Sequence, residues 1–177
     1  MRKIVASLFI SLDGVVEAPE TWTGPYFTDD IGQMIGSEMA RAGTMLLGRV
    51  TYQTFAASFA RQTGGMAGQM NSIPKIVVST TLETAGWQNT TVVSAPTGLA
   101  AVKQEPGRHI AISGSAGLVR SLLRDGLLDE LRLVLFPVIV GSGQRLFDGI
   151  RERLTLDLLA TRTFARGVVQ LSYQPAR

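Results

Sequence analysis

Four short strings in this chain have residue types and spacing suited to chemistry, and all four fall where an apolar run ends. In open α/β sheets, ligands sit beyond the carboxyl ends of the strands, so these positions bear on function. Ser113-Gly114-Ser115-Ala116-Gly117-Leu118 follows HIAI and opens an apolar helical pattern. Its small side chains would let backbone approach a phosphate, and a helix starting there offers free N–H groups and a positive dipole end. The competing reading is a tight turn with Ser115 as the helix cap. The string is not the Gly-x-Gly-x-x-Gly fingerprint and comes late in the chain, which disfavours a Rossmann dehydrogenase.

Gly48-Arg49-Val50-Thr51 ends the run TMLLG. An arginine in the first turn of a helix opposes the macrodipole unless an anion is nearby. A phosphate would be that anion, with Thr51 as a hydroxyl donor; otherwise Arg49 is simply solvated. Ser79-Thr80-Thr81 ends KIVVS, and hydroxyls beside an arginine can seat the 2′-phosphate that separates NADP from NAD. The fourth group surrounds the first apolar run and the loop after it: Ser11, Asp13, Gly14, Trp22, Pro25, Tyr26, Thr28, Asp29 and Asp30. Aromatics and carboxylates there could wall a planar heteroaromatic substrate. Helix capping by the two aspartates, and a loop sealed by the two aromatics, are the alternatives.

Composition narrows the chemistry. Among 177 residues there is no Cys and a single His, His109. Disulfide scaffolds, cysteine nucleophiles, thiolate zinc sites and multi-histidine metal cages are excluded, and no metal is expected. The net charge is +3 with scattered basic residues, whereas nucleic-acid binders concentrate theirs in a stripe. No nucleic-acid partner is expected. The opening Met1-Arg-Lys and IVASLFISL superficially resemble a signal peptide, but no small-residue cleavage pattern follows Asp13-Gly14. The run is also far shorter than the ~20 apolar residues of a membrane span. A soluble, cytoplasmic protein is expected, its chemistry resting on backbone, hydroxyls, carboxylates, arginines or a borrowed cofactor.

The positioning elements follow from periodicity. Near-continuous apolar runs at 4–10, 44–48, 75–79, 91–94, 109–113 and 131–136 predict strands buried on both faces of a largely parallel sheet. Between them, Ile31, Met34, Ile35, Met39 and Ala42 form one helical stripe, capped by Thr28 and stopped by Gly43. Leu118, Val119, Leu122 and Leu123 form another over 115–125, and shorter helices are predicted over 49–59 and 97–105. Segment 60–73 reads as a Gly-rich, mobile loop. Segments 154–164 and 167–174 read as an antiparallel hairpin around Ala165-Arg166-Gly167. The expected fold is thus one domain over 1–177: a doubly wound α/β sheet, mostly parallel, with a C-terminal antiparallel hairpin.

Taken in order, SLFISLDG (7–14), LLGRVTY (46–52), IVVST (76–80), ISGSAGLVRSLL (112–123) and LLDELRLVLFPVIVGSGQRLF (127–147) resemble the dihydrofolate reductase superfamily. The last string is the most specific and resembles its riboflavin-biosynthesis branch, the RibD C-terminal domain and its stand-alone relatives. The resemblance implies NADPH as cofactor, with Gly48, Arg49 and Thr51 at its phosphates and Ser79 and Thr80 beside the 2′-phosphate. It also implies that residues Ser113 to Leu118 hold the pyrophosphate and that the first strand and its loop border the nicotinamide. Asp29 or Asp30 would take the place of the acid that holds the pterin ring in folate reductases. The loop VVEAPETWTGPYF lacks the basic residues expected to grip a phosphoribosyl substrate. Four readings stand at this stage: a reductase of a C=N bond in a ribosylaminopyrimidine, a dihydrofolate or pterin reductase, a non-catalytic NADPH-binding regulator or partner subunit, and a structural oligomer without a ligand site whose apolar hairpin pairs across a two-fold axis. A homodimer is compatible with each, since a two-sided apolar sheet invites edge pairing.

Overall fold

The computed structural model describes residues 1–94 and 98–176. One eight-stranded sheet runs through the molecule in the order β4-β3-β2-β5-β1-β6-β8-β7. Its strands are β1 (Ile4–Ser11), β2 (Ala42–Gly48), β3 (Lys75–Val78), β4 (Thr90–Val93), β5 (His109–Ser113), β6 (Glu130–Phe136), β7 (Leu156–Thr163) and β8 (Val169–Pro175). The first six are mutually parallel; β8 runs antiparallel to both β6 and β7.

The helices are α1 (Asp29–Arg41), α2 (Arg49–Phe59), α3 (Gly65–Ser72), α4 (Leu99–Gln104) and α5 (Ala116–Arg124). Alternation along the strands builds two cores. Ile4, Ala6, Leu8, Ile110, Ile112, Leu131 and Leu133 face α4 and α5, whose Leu99, Leu118, Val119 and Leu122 cover them. On the opposite face α1 sets Ile31 and Met34 against Val134 and Phe136. Farther along that face, Tyr52 of α2 and Met70 of α3 close over Met45, Leu47 and Val77.

The doubly wound sheet and terminal hairpin agree with the sequence. Two local features do not. The 29–42 stripe overruns its helix: α1 ends at Arg41, and Ala42 and Gly43 already belong to β2, where Ala42 pairs with His109. An apolar stripe cannot mark the change from helix to strand when both elements bury their next residue. Segment 60–73 is not all loop, because 65–72 forms α3 and buries Ala67, Met70 and Asn71. Its glycines disguised a helix held by tertiary contacts rather than propensity. The helix predicted over 97–105 is observed as α4, and residue 97 lies outside the described residues.

The feature that positions the site is a split in the sheet. Pairing of β1 with β5 stops at Ser7–Ser113, while pairing of β1 with β6 continues to Ser11–Phe136. The upper half of β1 therefore overhangs the end of β5. Beside it, β2 leads into α2 on one face and β5 leads into α5 on the other. Such a divergence opens a crevice at the carboxyl edge. Among the described residues no helix is long and apolar enough to cross a membrane, and no cluster of three or more metal-ligating side chains occurs.

Candidate active site

At the crevice the starts of α2 and α5 are clipped together. The Gly48 N–H donates to Ser115 Oγ (2.9 Å), and the Ser115 N–H donates to Thr51 Oγ1 (3.0 Å). Both Gly114 (φ 69°) and Ser115 (φ 54°) are left-handed. A Cβ on Gly114 would meet Thr51 Cγ2 at 3.3 Å and Oγ1 at 3.4 Å, so glycine permits both the turn and the close approach. Ser115 does occupy the N-cap position of α5, but its side chain does not cap that helix; it reaches across to α2. Each hydroxyl in the clip accepts from a backbone N–H, and among the described residues neither donates to a protein acceptor. Both O–H protons are thus left for a ligand. They join the first-turn N–H groups of α5, from Ala116, Gly117 and Leu118, which have no intrahelical acceptors. Two helix starts and two hydroxyls thus converge on one cradle, whose chemistry would suit an anion.

Arg49 opens α2 on the solvent side, its guanidinium 3.3 Å from Gln53 Oε1 and near no carboxylate among the described ion pairs. Pairing of Gly48 with Val78 sets Ser79 and Thr80 one strand over from Arg49. Their accessibility differs. The Ser79 hydroxyl is buried and accepts from the Thr81 and Leu82 N–H groups (3.2 and 3.0 Å), so it builds the turn after β3. Thr80 is exposed.

The four side chains expected to wall the substrate are engaged elsewhere. Ser11 Oγ donates to Asp13 (2.6 Å) and accepts from the Val15 N–H. Asp13 also accepts from the Val140 and Gly141 N–H groups (3.1 and 2.8 Å) and lies 3.6 Å from Arg145. The Ser11 hydroxyl above all, then these two backbone donors, hold its carboxyl well below the usual carboxylate range. Trp22 is buried edge-to-face on Phe136, with its indole N–H on the Glu17 carbonyl. Tyr26 packs on Phe136 as well and donates to the Pro137 carbonyl (3.3 Å). These residues build the loop that borders the crevice. Bonds such as Tyr26 to Pro137 and Asp13 to Val140 and Gly141 join residues far apart in sequence, so they are not visible in a string of residue types.

Asp29 and Asp30, which the sequence leaves as alternatives, are separated by what they touch. Asp30 accepts from the Thr28 hydroxyl, the Ile31 N–H (3.0 Å) and the Ala165 N–H (3.3 Å), tying α1 to the tip of the C-terminal hairpin. Thr28 sits at the N-cap position but spends its hydroxyl on this carboxylate. That bond is the main reason Asp30 is held below the usual carboxylate range. Asp29 is exposed and lines an open cavity of about 460 Å³ with Phe27, Thr28, Gly32 and Gln33. Sequence reasoning missed Phe27, Gly32 and Gln33. The available signal was the i, i+4 spacing of Asp29 and Gln33 on one helix face. Phe27 meets Phe9 of the β1 overhang edge-to-face at 6.4 Å, which sets the cavity beside the crevice.

A mostly parallel eight-stranded sheet with this crevice and an antiparallel end is the dihydrofolate reductase-like fold. Aligned with dihydrofolate reductase from Enterococcus faecalis complexed with NADP(H), the structure has a TM-score of 0.70 at 14% identity, covering 99% of this chain and 97% of that one. A protein of Shewanella sp. PV-4, provisionally described as a riboflavin biosynthesis protein, aligns over the full length of both chains with a TM-score of 0.81 at 19% identity. Residues 2–170 match the RibD C-terminal domain, and the chain belongs to that family. Among curated proteins it is 42% identical over 72 residues to the uncharacterized protein YyaP of Bacillus subtilis, a match covering 41% of this chain and 38% of that relative.

Proposed function

We propose that this chain is a cytoplasmic, NADPH-dependent reductase of a C=N bond in a small heteroaromatic substrate. A ribosylaminopyrimidine of the riboflavin type is the first candidate and a pterin the second. Support comes from the family, from the fold, and above all from the cradle at the split sheet. The clip between Gly48, Thr51 and Ser115 presents two undonated hydroxyls and two helix starts to one crevice, as a pyrophosphate requires. In this reading Arg49 and Thr80 hold the 2′-phosphate, and the Ser79 hydroxyl shapes the turn that carries Thr80.

When bound, NADPH supplies the hydride. The protein's own groups orient the partners and exclude water. The overhanging end of β1 forms one wall, and Phe27 offers an apolar surface to a planar ring. Asp29 accepts a hydrogen bond from a ring N–H, Gln33 pairs with a neighbouring donor or acceptor, and a water bound beside Asp29 relays the proton to nitrogen. Asp30 positions this helix start without touching the substrate.

The pterin alternative draws on one observation. Neither loop 15–27 nor the cavity lining carries a lysine or arginine to grip a sugar phosphate. The decisive experiment follows NADPH absorbance with 5-amino-6-(5-phosphoribosylamino)uracil and with dihydrofolate, beside a direct measurement of NADPH binding. Consumption with either substrate supports the reductase. Unaltered NADPH with both overturns it, and tight NADPH binding in that case points to the non-catalytic binding protein.

A further inference from the structure

A second cavity, of about 280 Å³, opens on the α1 face of the sheet where β6, β8 and β7 lie side by side. Arg132, Ser172 and Ala160 stand in register across the three strands, and Gln170 opposes Arg162 in the next row. A bulge between Leu158 and Ala160 inserts one residue into β7, so Asp157, Ala160 and Arg162 all share this face. Ser37, Glu38 and Arg41 of α1 form the opposite wall. From Asp29, at the start of the same helix, these three residues are roughly 12–18 Å along the axis. The cavity is therefore separate from the one at the start of α1.

Charge and hydrogen-bonding capacity in this cavity are unevenly spent. Arg132 donates to both Glu130 (2.7 Å) and Glu38 (3.1 Å), and Glu38 also accepts from the Gln170 amide (2.8 Å). Two further arginines, Arg41 and Arg162, line the cavity and enter none of the described ion pairs. Arg162 lies over the Phe164 ring, 4.6 Å from its centroid, so its guanidinium is held in place without being neutralised. Beside them are two buried polar groups with bonds to spare. Ser172 is 9% exposed, and its hydroxyl makes no hydrogen bond among the described residues. Gln170 is 8% exposed, and its amide oxygen accepts from no described donor. Among the described residues no side-chain polar atom sealed from solvent lacks a partner, so both groups open into the cavity they line.

We propose that this cavity binds a small organic monoanion, a carboxylate that also carries a hydroxyl or N–H donor. Three arginines against two glutamates leave the lining one positive charge in excess, which a single carboxylate balances. Its two oxygens suit the planar guanidinium forks of Arg41 and Arg162. The Gln170 oxygen needs a donor and the Ser172 hydroxyl takes either kind of partner, so the ligand presents its own hydroxyl or N–H on that side. Met34, Leu159 and Ala160 offer apolar contact to the carbon skeleton. The volume falls at the lower end for ligand sites and suits a small metabolite rather than a nucleotide. Water can satisfy the two buried groups one by one, but it leaves both arginines facing the cavity without a counter-charge. The proposal does not rest on the reductase reading.

The test is calorimetric titration of the full chain with lactate, 3-hydroxybutyrate and 4-hydroxybenzoate, beside 3-hydroxybutyramide, butyrate and inorganic phosphate. At least one hydroxycarboxylate is expected to saturate one site per chain at about millimolar concentration or below, with the uncharged amide, the acid lacking the hydroxyl and phosphate all weaker. Arg162→Gln and Ser172→Ala, with circular dichroism reporting the fold, should each weaken that binding roughly tenfold. Arg124→Gln, which removes an exposed arginine on α5, should leave it unchanged. Saturating NADPH should leave it unchanged too, since the crevice is a different site. Saturation by none of the three hydroxycarboxylates overturns the proposal. Equal binding of the amide, of butyrate or of phosphate overturns the ligand class. Binding that NADPH displaces, or that folded Arg162→Gln and Ser172→Ala variants retain in full, overturns the site.

Discussion

Arg49 stands at the start of a helix, where a cation is disfavoured, and none of the described ion pairs offsets it. A phosphate would compensate. Arg49→Ala is expected to weaken NADPH binding by about 1.5–3 kcal/mol, roughly ten- to a hundredfold, with little change for NADH. Calorimetric titration with the two nucleotides checks this, and equal losses would remove the 2′-phosphate role. Asp13 carries a different kind of prediction. Its folded carboxyl ionises below the usual range, so on acidification the unfolded chain takes up its proton first. The stability it contributes is complete above the unfolded value of about 4 and is lost as pH falls through the folded one. Urea midpoints measured from neutral to strongly acid pH should drop on that limb, and Asp13→Asn should flatten it. Asp30 acts in the same direction. Single residues were only partly legible in the sequence. Arg49 was, because a cation opposing a dipole is a local conflict; Ser79 was not, because its hydroxyl is spent on N–H groups two and three positions onward.

Among the elements, α3 is the one whose existence depends most on its neighbours. Three of its eight residues are Gly or Ala, and its N-cap position, Gly64, makes no side-chain cap bond. Asn71 anchors it: the amide donates to the Phe59 and Gln62 carbonyls at the end of α2, and its oxygen accepts from the Trp87 indole (2.6 Å). Lys75 completes the joint, its ammonium donating to the Met70 and Ile73 carbonyls (2.7 and 2.8 Å) 4.5 Å from the centroid of the Trp87 ring. Burial pushes that ammonium down to about 8, which leaves it mostly charged at neutral pH. Asn71→Ala should cost about 2 kcal/mol or more, since it strands several buried groups at once. Loss of hydrogen-exchange protection confined to α3 and the end of α2 would accompany it; an unchanged urea midpoint would show that the anchor is dispensable. Strands and well-striped helices were legible because each buries a continuous apolar pattern. α3 was not, because its glycines break the apolar pattern and the contacts of Met70 and Asn71 that hold it come from other elements.

For the molecule as a whole, the clip joins helices on opposite faces of the sheet, so ligand in the crevice binds both layers. NADPH at a hundred times its dissociation constant should stabilise the fold by ~2.7 kcal/mol. For a domain of this size that corresponds to roughly 5–10 °C in Tm, read by thermal unfolding with and without nucleotide. No shift at saturating NADPH would sink the cradle assignment. The crevice lies at the carboxyl edge between β1 and β2, whereas β7 lies at the lateral end of the sheet.

The order of apolar runs and helical stripes by itself determined the doubly wound sheet, the terminal hairpin and the nucleotide-like strings at the strand ends. Those are local properties, each written in periodicity or in residue type at a turn. Only the tertiary structure decided which hydroxyls remain available, because availability depends on partners far along the chain. Ser115 is tied to Gly48 across 67 positions and Asp30 to Ala165 across 135. It also decided that Asp29, not Asp30, faces the open cavity, and that a one-residue bulge turns Asp157 and Arg162 to the same face.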